Sequence, residues 1–349
     1  MGVPGPGAVR ESIRYGFAVG KVRVLETRVF GLATYERLLD AADFQEQLRI
    51  LSDTIYGRYL DGAQSALDVE RGLDRALDEF YRFLDEAHLP DSVVGFFRER
   101  YDFANLKGAL KARLLSTPAD DLLVDLGTIP IEDFSGPLEE LPKPFGALAE
   151  RVSEAAHASL EEASQGPAGS QGEAAEGSVQ IVDAEVDRAM FAELAHLARE
   201  SGSGFLEELI KLQIDIANVK SLLRARLADV PADEALPMTV EGGSVSVAEL
   251  TRLYELPIAE AGARLAALPT LSGIPAAELA DLARLDVIAD NVVVGYLRRA
   301  RAVSVGAEPV IAYVMGREAE VRAVRTLLIG RLAGLPTEVL RSRLRNLYV

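Results

Sequence analysis

The chain has 349 residues, of which 49% are apolar and 6% aromatic; it has no cysteine and a net charge of −17. The lack of cysteine excludes disulfides and thiolate metal sites, and the acidic balance argues against a general nucleic-acid-binding protein. No apolar run reaches the roughly 18 residues of a membrane-spanning helix, and the N-terminal stretch MGVPGPGAVRES lacks the apolar core of a signal peptide. We therefore expect a soluble, cytoplasmic protein that does not itself cross a membrane.

Helical periodicity dominates the chain from one end to the other. Residues 1–14 are predicted to be disordered, residues 116–144 are rich in proline and irregular, and only MTVEGGSVSV (238–247) resembles a strand. Helices are predicted over residues 16–29, 67–87, 93–115, 145–163, 183–201, 205–227, 276–303, 309–332 and 337–347. More than half of the chain is thus predicted to be helical, against a norm of about 30–35%, which indicates an all-α fold.

The segment SQGPAGSQGEAAEGS (164–178) contains no leucine, isoleucine, valine or aromatic residue. Such a composition cannot bury enough apolar surface to offset the entropy of ordering, so we predict a mobile loop over residues 164–178.

A thirteen-residue phrase occurs twice. YDFANLKGALKAR (101–113) and IDIANVKSLLRAR (214–226) are identical at seven positions. A fainter third copy, AEVRAVRTLLIGR, covers residues 319–331. The repeated polar positions are Asp102, Asn105, Lys107 and Arg113 in the first copy, Asp215, Asn218, Lys220 and Arg226 in the second, and Glu320, Arg325 and Arg331 in the third.

The repeat predicts three homologous helical subdomains, over residues 15–130, 131–240 and 241–349. Three head-to-tail units can close into a ring with a pseudo-threefold axis. On each helix the acid and the last arginine share one face, so the Asp of one copy could pair with the Arg of the next; the alternative is a local partner or water. Lys107 and Lys111 point away from this face, and we interpret Lys111 as exposed.

The phrases at Asp102 and Asp215, the closing YVMGREAEVRAVRTLLIGRLAGLP and the terminal RSRLRNLYV resemble a known family. The chain is similar, from Tyr15 to Val349, to the C subunit of the bacterial and archaeal V/A-type rotary ATPase, which corresponds to the d subunit of the eukaryotic vacuolar ATPase. The resemblance implies three helical subdomains arranged as a funnel. It also implies a place at the membrane periphery, on the proteolipid ring, where the protein receives the end of the central shaft and transmits torque.

Charge is distributed unevenly along the chain. Residues 114–180 hold thirteen acids and two bases, whereas residues 298–349 hold ten arginines and four glutamates. The simpler interpretation is a set of solvated helix faces, and the alternative is a charged partner. Arg341, Arg343 and Arg345 are the candidate partner-binding residues.

Catalytic motifs are missing from the sequence. It contains no P-loop, dinucleotide-binding, zinc-protease or hydrolase signature, and His88, His157 and His196 do not have metal-ligand spacing. Asp120, Asp121 and Asp125 form DDxxxD, one residue longer than the magnesium-diphosphate motif DDxxD of isoprenoid synthases. We therefore expect no catalytic residue, no cofactor, no metal and no nucleotide; a generic helical protein-binding scaffold is the alternative function, and an isoprenoid-type enzyme is a more distant one.

Overall fold

The computed structural model of the protein describes residues 6–119, 122–164, 171–268, 271 and 282–349. Within these residues the regular elements are helices, which confirms the all-α class. The first α-helices are α1 (Pro6–Glu26), α2 (Leu32–Asp40), α3 (Phe44–Ser52), α4 (Gly57–Leu60), α5 (Ala66–Glu86), α6 (Asp91–Leu114), α7 (Phe145–Ser164) and α8 (Gln171–Ser201). They are followed by α9 (Gly204–Leu227), α10 (Ala232–Ala235), α11 (Val247–Glu255), α12 (Ile258–Ala266), α13 (Leu282–Leu297), α14 (Glu308–Leu332) and α15 (Thr337–Arg343). Short 3₁₀ helices cover Ile131–Ser135, Leu138–Glu140, Leu236–Met238 and Arg298–Ala302.

Five long helices, α5, α6, α7, α9 and α14, begin and end within about two residues of the predicted positions, and α5 shows the capping chemistry that fixes such an end. Ser65 caps α5 by accepting a hydrogen bond from the backbone of Asp68, and the Asp68 carboxylate accepts one from the backbone of Ser65. This reciprocal capping box satisfies two amide groups that the helix itself cannot pair.

Two segments predicted to lack structure are helical where the structure describes them. Helix α1 begins at Pro6, so residues 6–14 are helical rather than disordered; proline is tolerated in a first turn, where its missing N–H would have no partner.

Helix α8 begins at Gln171, so residues 171–178 are not a loop. Ser178 is buried and its hydroxyl donates to the Ala156 carbonyl of α7 at 3.0 Å. Packing against α7 and the helix-favouring Ala and Glu content stabilise the helix here despite the lack of large apolar residues. The rest of the predicted loop, residues 165–170, lies outside the described part of the chain.

The helices group into two compact units. Unit 1 contains residues 1–89 and 252–349, and unit 2 contains residues 90–251. The predicted subdomain 15–130 is therefore divided after residue 89. The physical reason is that α5 packs against α14 of the third copy, whereas α6 packs against α8 of the second.

Helix α14 forms the centre of unit 1. It contacts α1, α3, α5, α13 and α15, and the ten consecutive residues 309–318 are all buried. A helix that is covered on every side is part of the core rather than a surface element. Polar residues on α14, including Arg317 and Glu320, are consequently buried with it.

Unit 2 is built on three helices that contact one another, α6, α7 and α8, with α9 packed on α8. The 3₁₀ segment after α6 contributes to the same core, whose members include Phe103, Leu106, Phe134, Phe145 and Val186. The first two copies of the repeated phrase lie on α6 and α9 of this unit.

Candidate functional site

The acid and the amide of the repeated phrase hold the loop that follows their helix. In the first copy Asp102 is fully buried, and its carboxylate accepts hydrogen bonds from the Thr128 and Ile129 backbone N–H groups at 2.9 and 3.0 Å. The side-chain amide of Asn105 pairs with Val124 in both directions, at 2.8 and 2.9 Å. We name residues 124–129 (VDLGTI) the first return loop.

The second copy uses the same contacts. Asp215 accepts from the Val245 N–H at 3.0 Å, and Asn218 pairs with Val240 in both directions at 2.7 and 2.8 Å. The second return loop, residues 240–245 (VEGGSV), lies within the stretch 238–247 predicted to resemble a strand. That prediction is wrong because the side chains of α9 pair with its backbone groups, so it does not need a neighbouring strand.

A glycine in each return loop allows the close approach. A Cβ atom on Gly127 would lie 2.0 Å from Asp102 Oδ1, and one on Gly243 would lie 2.2 Å from Asp215 Oδ1. Distances below 3.0 Å exclude a side chain there unless the carboxylate or the loop moves. The match between VDLGTI and VEGGSV is thus a second repeat signal, which the sequence analysis missed.

The third copy is completed by the N-terminal part of the chain. Glu320 takes the place of the aspartate and accepts a hydrogen bond from the Phe30 N–H, 290 positions away. Tyr35 is buried five residues after Phe30, as Phe134 is five residues after Ile129. Residues 29–35 therefore serve the third copy as the return loops serve the other two.

Glu320 belongs to a buried polar cluster in unit 1. Its Oε1 lies 2.6 Å from Nη1 of Arg317, and it accepts a hydrogen bond from the Tyr56 hydroxyl at 2.7 Å. Burial raises the pKa of Glu320, opposed by the Arg317 charge and the two hydrogen bonds. Burial likewise raises the pKa of Asp102 and of Asp215, opposed by hydrogen bonds from the return loops.

The basic position of the repeat links one copy to the next. Lys107 Nζ on α6 lies 2.5 Å from Asp187 Oδ1 and 3.5 Å from Asp183 Oδ1 on α8. Arg325 on α14 contacts Asp74 at 3.0 Å and Glu70 at 2.6 Å, both on α5. The interpretation of Lys111 as exposed is wrong, since its Nζ lies 2.6 Å from Asp183; it lies on the side of α6 that packs against α8.

The final arginine of the phrase binds backbone carbonyl groups. Arg113 donates to the Gly136 carbonyl, and Arg331 donates to the Leu39 carbonyl at 2.7 Å. The partners of Asp102, Asp215 and Arg113 are thus near in the sequence, and that of Arg331 is the distant Leu39. None of these contacts is the predicted Asp–Arg pair between copies. Lys220 and Arg226 are half-buried on α9.

The C-terminal arginines divide into two places. Arg341 forms an exposed ion pair with Glu36 at 2.7 Å. Arg343 and Arg345 line a hollow of about 270 Å³ together with Arg322, Arg325 and Asp290. We call these five residues the basic hollow. Arg345 pairs with Asp290 at 2.8 Å, so the hollow keeps a surplus of positive charge.

Arg322 and Arg343 are the cations of the basic hollow that remain accessible, since Arg322 is exposed and Arg343 lies at the chain surface beside it. Within the part of the chain that the structure describes, neither guanidinium group has a hydrogen bond or ion pair. The basic hollow therefore has two surface cations that no described residue neutralises.

The predicted acidic cluster is only partly described. Asp120 and Asp121 lie outside the described residues, and Asp125 is an exposed residue of the first return loop. In the described ranges no group of three histidine or acidic side chains could hold a metal ion. None of the helices described there is both long and apolar enough to span a bilayer.

Comparisons with known proteins agree on one assignment. The family described as ATP synthase (C/AC39) subunit matches residues 18–343. The C subunit of an A-type ATP synthase from Thermococcus kodakarensis is 27% identical over 94% of this chain and 89% of that protein. The C subunit of the V-type sodium ATPase of Enterococcus hirae is 24% identical over 94% of this chain and 97% of that protein. With the corresponding A-type ATP synthase protein of Thermococcus onnurineus the alignment is 26% identical and spans 70% of this chain but 66% of that protein, just under two thirds of its length.

Proposed function

Because the chain belongs to the ATP synthase (C/AC39) subunit family, we propose that it couples the central shaft of a V/A-type ATPase to the membrane proteolipid ring. The protein is a non-catalytic subunit of a rotary ATPase rather than an enzyme. The proposal has four parts: a place in the rotor, contacts with shaft and ring, a peripheral position on the cytoplasmic side of the membrane, and the transmission of torque. The family match over residues 18–343 carries it.

The way in which the copies are joined supports a coupling role. A part that transmits torque must resist shear between its segments. Equivalent ion pairs connect the first copy to the second, through Lys107 and Asp187, and the third copy to the first, through Arg325 and Asp74. We extend this pattern to a ring of three copies around a pseudo-threefold axis, whose funnel receives the end of the shaft.

The basic hollow supports an electrostatic contribution to partner binding. The chain carries a net charge of −17, yet four arginines and one aspartate line this hollow. Exposed ion pairs are individually worth about 0–1 kcal/mol and are screened by salt. We therefore propose that an acidic surface of the shaft or of the ring contacts Arg322 and Arg343, as one part of a larger interface.

The test is co-purification of the protein with the shaft subunits and, separately, with the detergent-solubilised ring, at low and high ionic strength. Binding of the wild-type protein should weaken but persist as salt rises, because apolar contacts are not screened. The double variant Arg322→Gln/Arg343→Gln should lose several-fold affinity for one partner and show a smaller salt dependence. Arg341→Gln is the matched control, since Arg341 already pairs with Glu36 away from the hollow.

Two outcomes would change the assignment. If the wild-type protein binds neither shaft nor ring at any ionic strength, the generic helical scaffold becomes the better account of its function. If both partners bind but Arg322→Gln/Arg343→Gln matches Arg341→Gln, the coupling role stands and the basic hollow is not the contact.

A further inference from the structure

Unit 1 contains a cleft of about 680 Å³, formed by side chains of α1 and of Arg28 just after it, of the segment from the end of α3 into α4, and of α5 and α14. Ligand-binding clefts typically have volumes of about 300–1,000 Å³. Its walls include the aromatic side chains of Tyr59, Phe80, Phe83 and Tyr313. The repeat does not account for this cleft, and neither does the proposed contact with shaft or ring.

Arg317 lines the cleft and is the feature that points to a ligand. Its side chain is only 1% exposed. Nη1 lies 2.6 Å from Glu320 Oε1, and the guanidinium carbon lies 4.1 Å from the centre of the Phe80 ring and 5.7 Å from that of Tyr56. Ion pair and ring contacts therefore fix the guanidinium plane.

One edge of this guanidinium group is unused by the protein. Nε and Nη2 of Arg317 are buried, and no described residue accepts a hydrogen bond from either of them. An unpaired buried donor costs about 1–3 kcal/mol, and more when the group is charged. The Nε–Nη2 edge also has the fork geometry that binds the two oxygens of a carboxylate or phosphate side by side.

The charge of the cleft favours the same class of ligand. Five bases and two acids line it, in a chain that is strongly acidic overall; they are Lys21, Arg28, Arg58, Arg82, Arg317, Glu79 and Glu86. Glu320 already neutralises Arg317, and Lys21, Arg58 and Arg82 form ion pairs with Glu86, Glu79 and Asp78. The net attraction for an anion therefore has to come from Arg28. Arg28 is suited to this role, because no described residue forms an ion pair with its guanidinium group.

We propose that this cleft binds a small oxyanion, a carboxylate or a phosphate monoester, carried on an apolar or aromatic body. The Nε–Nη2 edge of Arg317 takes two oxygens of the anion, Arg28 supplies the uncompensated charge, and the aromatic walls cover the apolar body. Binding involves no covalent step.

Calorimetry on the full-length protein tests this site with four probes: inorganic phosphate, benzoate, phenyl phosphate and the uncharged benzamide. Benzoate or phenyl phosphate should bind, and the preferred one identifies the oxyanion. Inorganic phosphate should bind more weakly because it lacks the apolar body, and benzamide should not bind. Absence of binding by all three anions would overturn the proposal.

Variants show whether the bound anion lies on Arg317. Arg317→Lys keeps the charge and loses the fork, and Arg317→Gln/Glu320→Gln removes the edge without leaving a buried charge unpaired. Each should weaken binding at least tenfold, and Arg28→Gln should weaken it several-fold and reduce its salt dependence. Arg151→Gln on α7 is the matched control.

Thermal melts of every variant separate loss of the site from loss of the fold. If both Arg317 variants unfold, Arg28→Gln still tests the site, because its side chain is not part of the buried cluster. Unchanged affinity in a folded Arg317 variant, or in Arg28→Gln, would contradict the assignment.

Discussion

Lys107 on α6 forms an ion pair with Asp187 on α8, and Asp187 occupies in the second copy the position of Asp74 in the first, 28 residues before the repeated aspartate. Asp74 in turn pairs with Arg325, which occupies the position of Lys107 in the third copy. The repeat has therefore preserved a contact between copies as well as a helix within each copy.

Reversing the charge of Lys107 should be partly compensated by reversing that of Asp187. Both side chains are partly exposed, at 23% and 40%, so we expect a coupling free energy of about 0.5–1 kcal/mol in a double-mutant cycle. Lys107→Glu and Asp187→Lys should each lower the thermal midpoint, and the double variant should recover part of the loss. In the control cycle Lys107→Glu is combined with Arg188→Glu. The thermal midpoint of this double variant should not recover any of the loss caused by Lys107→Glu.

Removal of the Asp102 carboxylate should destabilise unit 2. Asp102→Ala leaves the N–H groups of Thr128 and Ile129 without their acceptor, and we expect a loss of roughly 3 kcal/mol in the free energy of unfolding. Asp78→Ala removes an exposed pair with Arg82 and should change it by less than about 0.5 kcal/mol. Denaturant titration of both variants measures the difference, and equal effects would contradict the role given to the return loop.

Two glycine substitutions should act in opposite directions. Gly127→Ala places a methyl group 2.0 Å from Asp102 Oδ1. Either the carboxylate or the first return loop must then move, which disturbs the hydrogen bonds between them, so the thermal midpoint should fall. Gly20→Ala lies within α1, and the new methyl group would meet no atom within 4 Å beyond the backbone of its own helix. Because alanine favours a helix over glycine by about 1 kcal/mol, this control should raise the midpoint slightly.

Glu99 should make stability depend on pH near neutrality. Burial, helped by the charges of Glu193 and Asp102, raises the pKa of Glu99 to about 7, against an ordinary value of 4.5. Between these two values the folded protein binds more protons than the unfolded chain, so the free energy of unfolding falls as pH rises from about 4.5 to 7. Above about pH 7 the Glu99 carboxylate is charged, and its destabilisation of the folded protein no longer changes with pH.

The measurement is the thermal midpoint of Glu99→Gln and of the wild-type protein at pH 5 and pH 8. The variant should be more stable than the wild-type protein at pH 8 and nearly equal to it at pH 5. Glu154→Gln, an exposed change on α7, should behave alike at both values. A Glu99→Gln effect that is the same at pH 5 and pH 8 would show that Glu99 does not titrate in this range.

The C-terminal segment should stabilise unit 1 through Tyr348. This side chain is 3% exposed, its hydroxyl donates to Glu26 at 2.6 Å, and its ring leaves no room for a side chain at Gly316. Tyr348→Ala should therefore lower the free energy of unfolding by about 3–5 kcal/mol, as for other large buried aromatic residues. The neighbouring Asn346→Ala, at an exposed position, should have little effect by the same denaturant titration.

The sequence was sufficient for most of the long helices and for the importance of the repeated acids, because helical periodicity and a thirteen-residue phrase are local patterns. It missed α2, α3 and the first turns of α1 and α8. It did not reveal what the acids bind. For the first two copies a signal was present, because each return loop follows its helix closely in the sequence. The match between VDLGTI and VEGGSV could have indicated both loops. The contact of Glu320 with Phe30 joins positions 290 residues apart, and nothing in the sequence near Phe30 resembles the other two loops.

The unpaired edge of Arg317 was equally invisible in the sequence. On a helix wheel Arg317 is one more arginine of a basic C-terminal region. Its burial follows from the position of α14 at the centre of unit 1, which depends on contacts with helices from both ends of the chain. Burial of a charged group is a property of the assembled core, and local composition does not encode it.

The contact between Phe30 and Glu320 also has a consequence for synthesis on the ribosome. Unit 2 is one continuous segment, so it can fold as soon as residue 251 has left the exit tunnel. Unit 1 must wait for α14, and until then the N-terminal helices expose the apolar surface that α14 will cover. During that interval the nascent chain is open to premature association and to chaperones. We therefore expect unit 2 to fold before unit 1, although α1 to α5 of unit 1 emerge first.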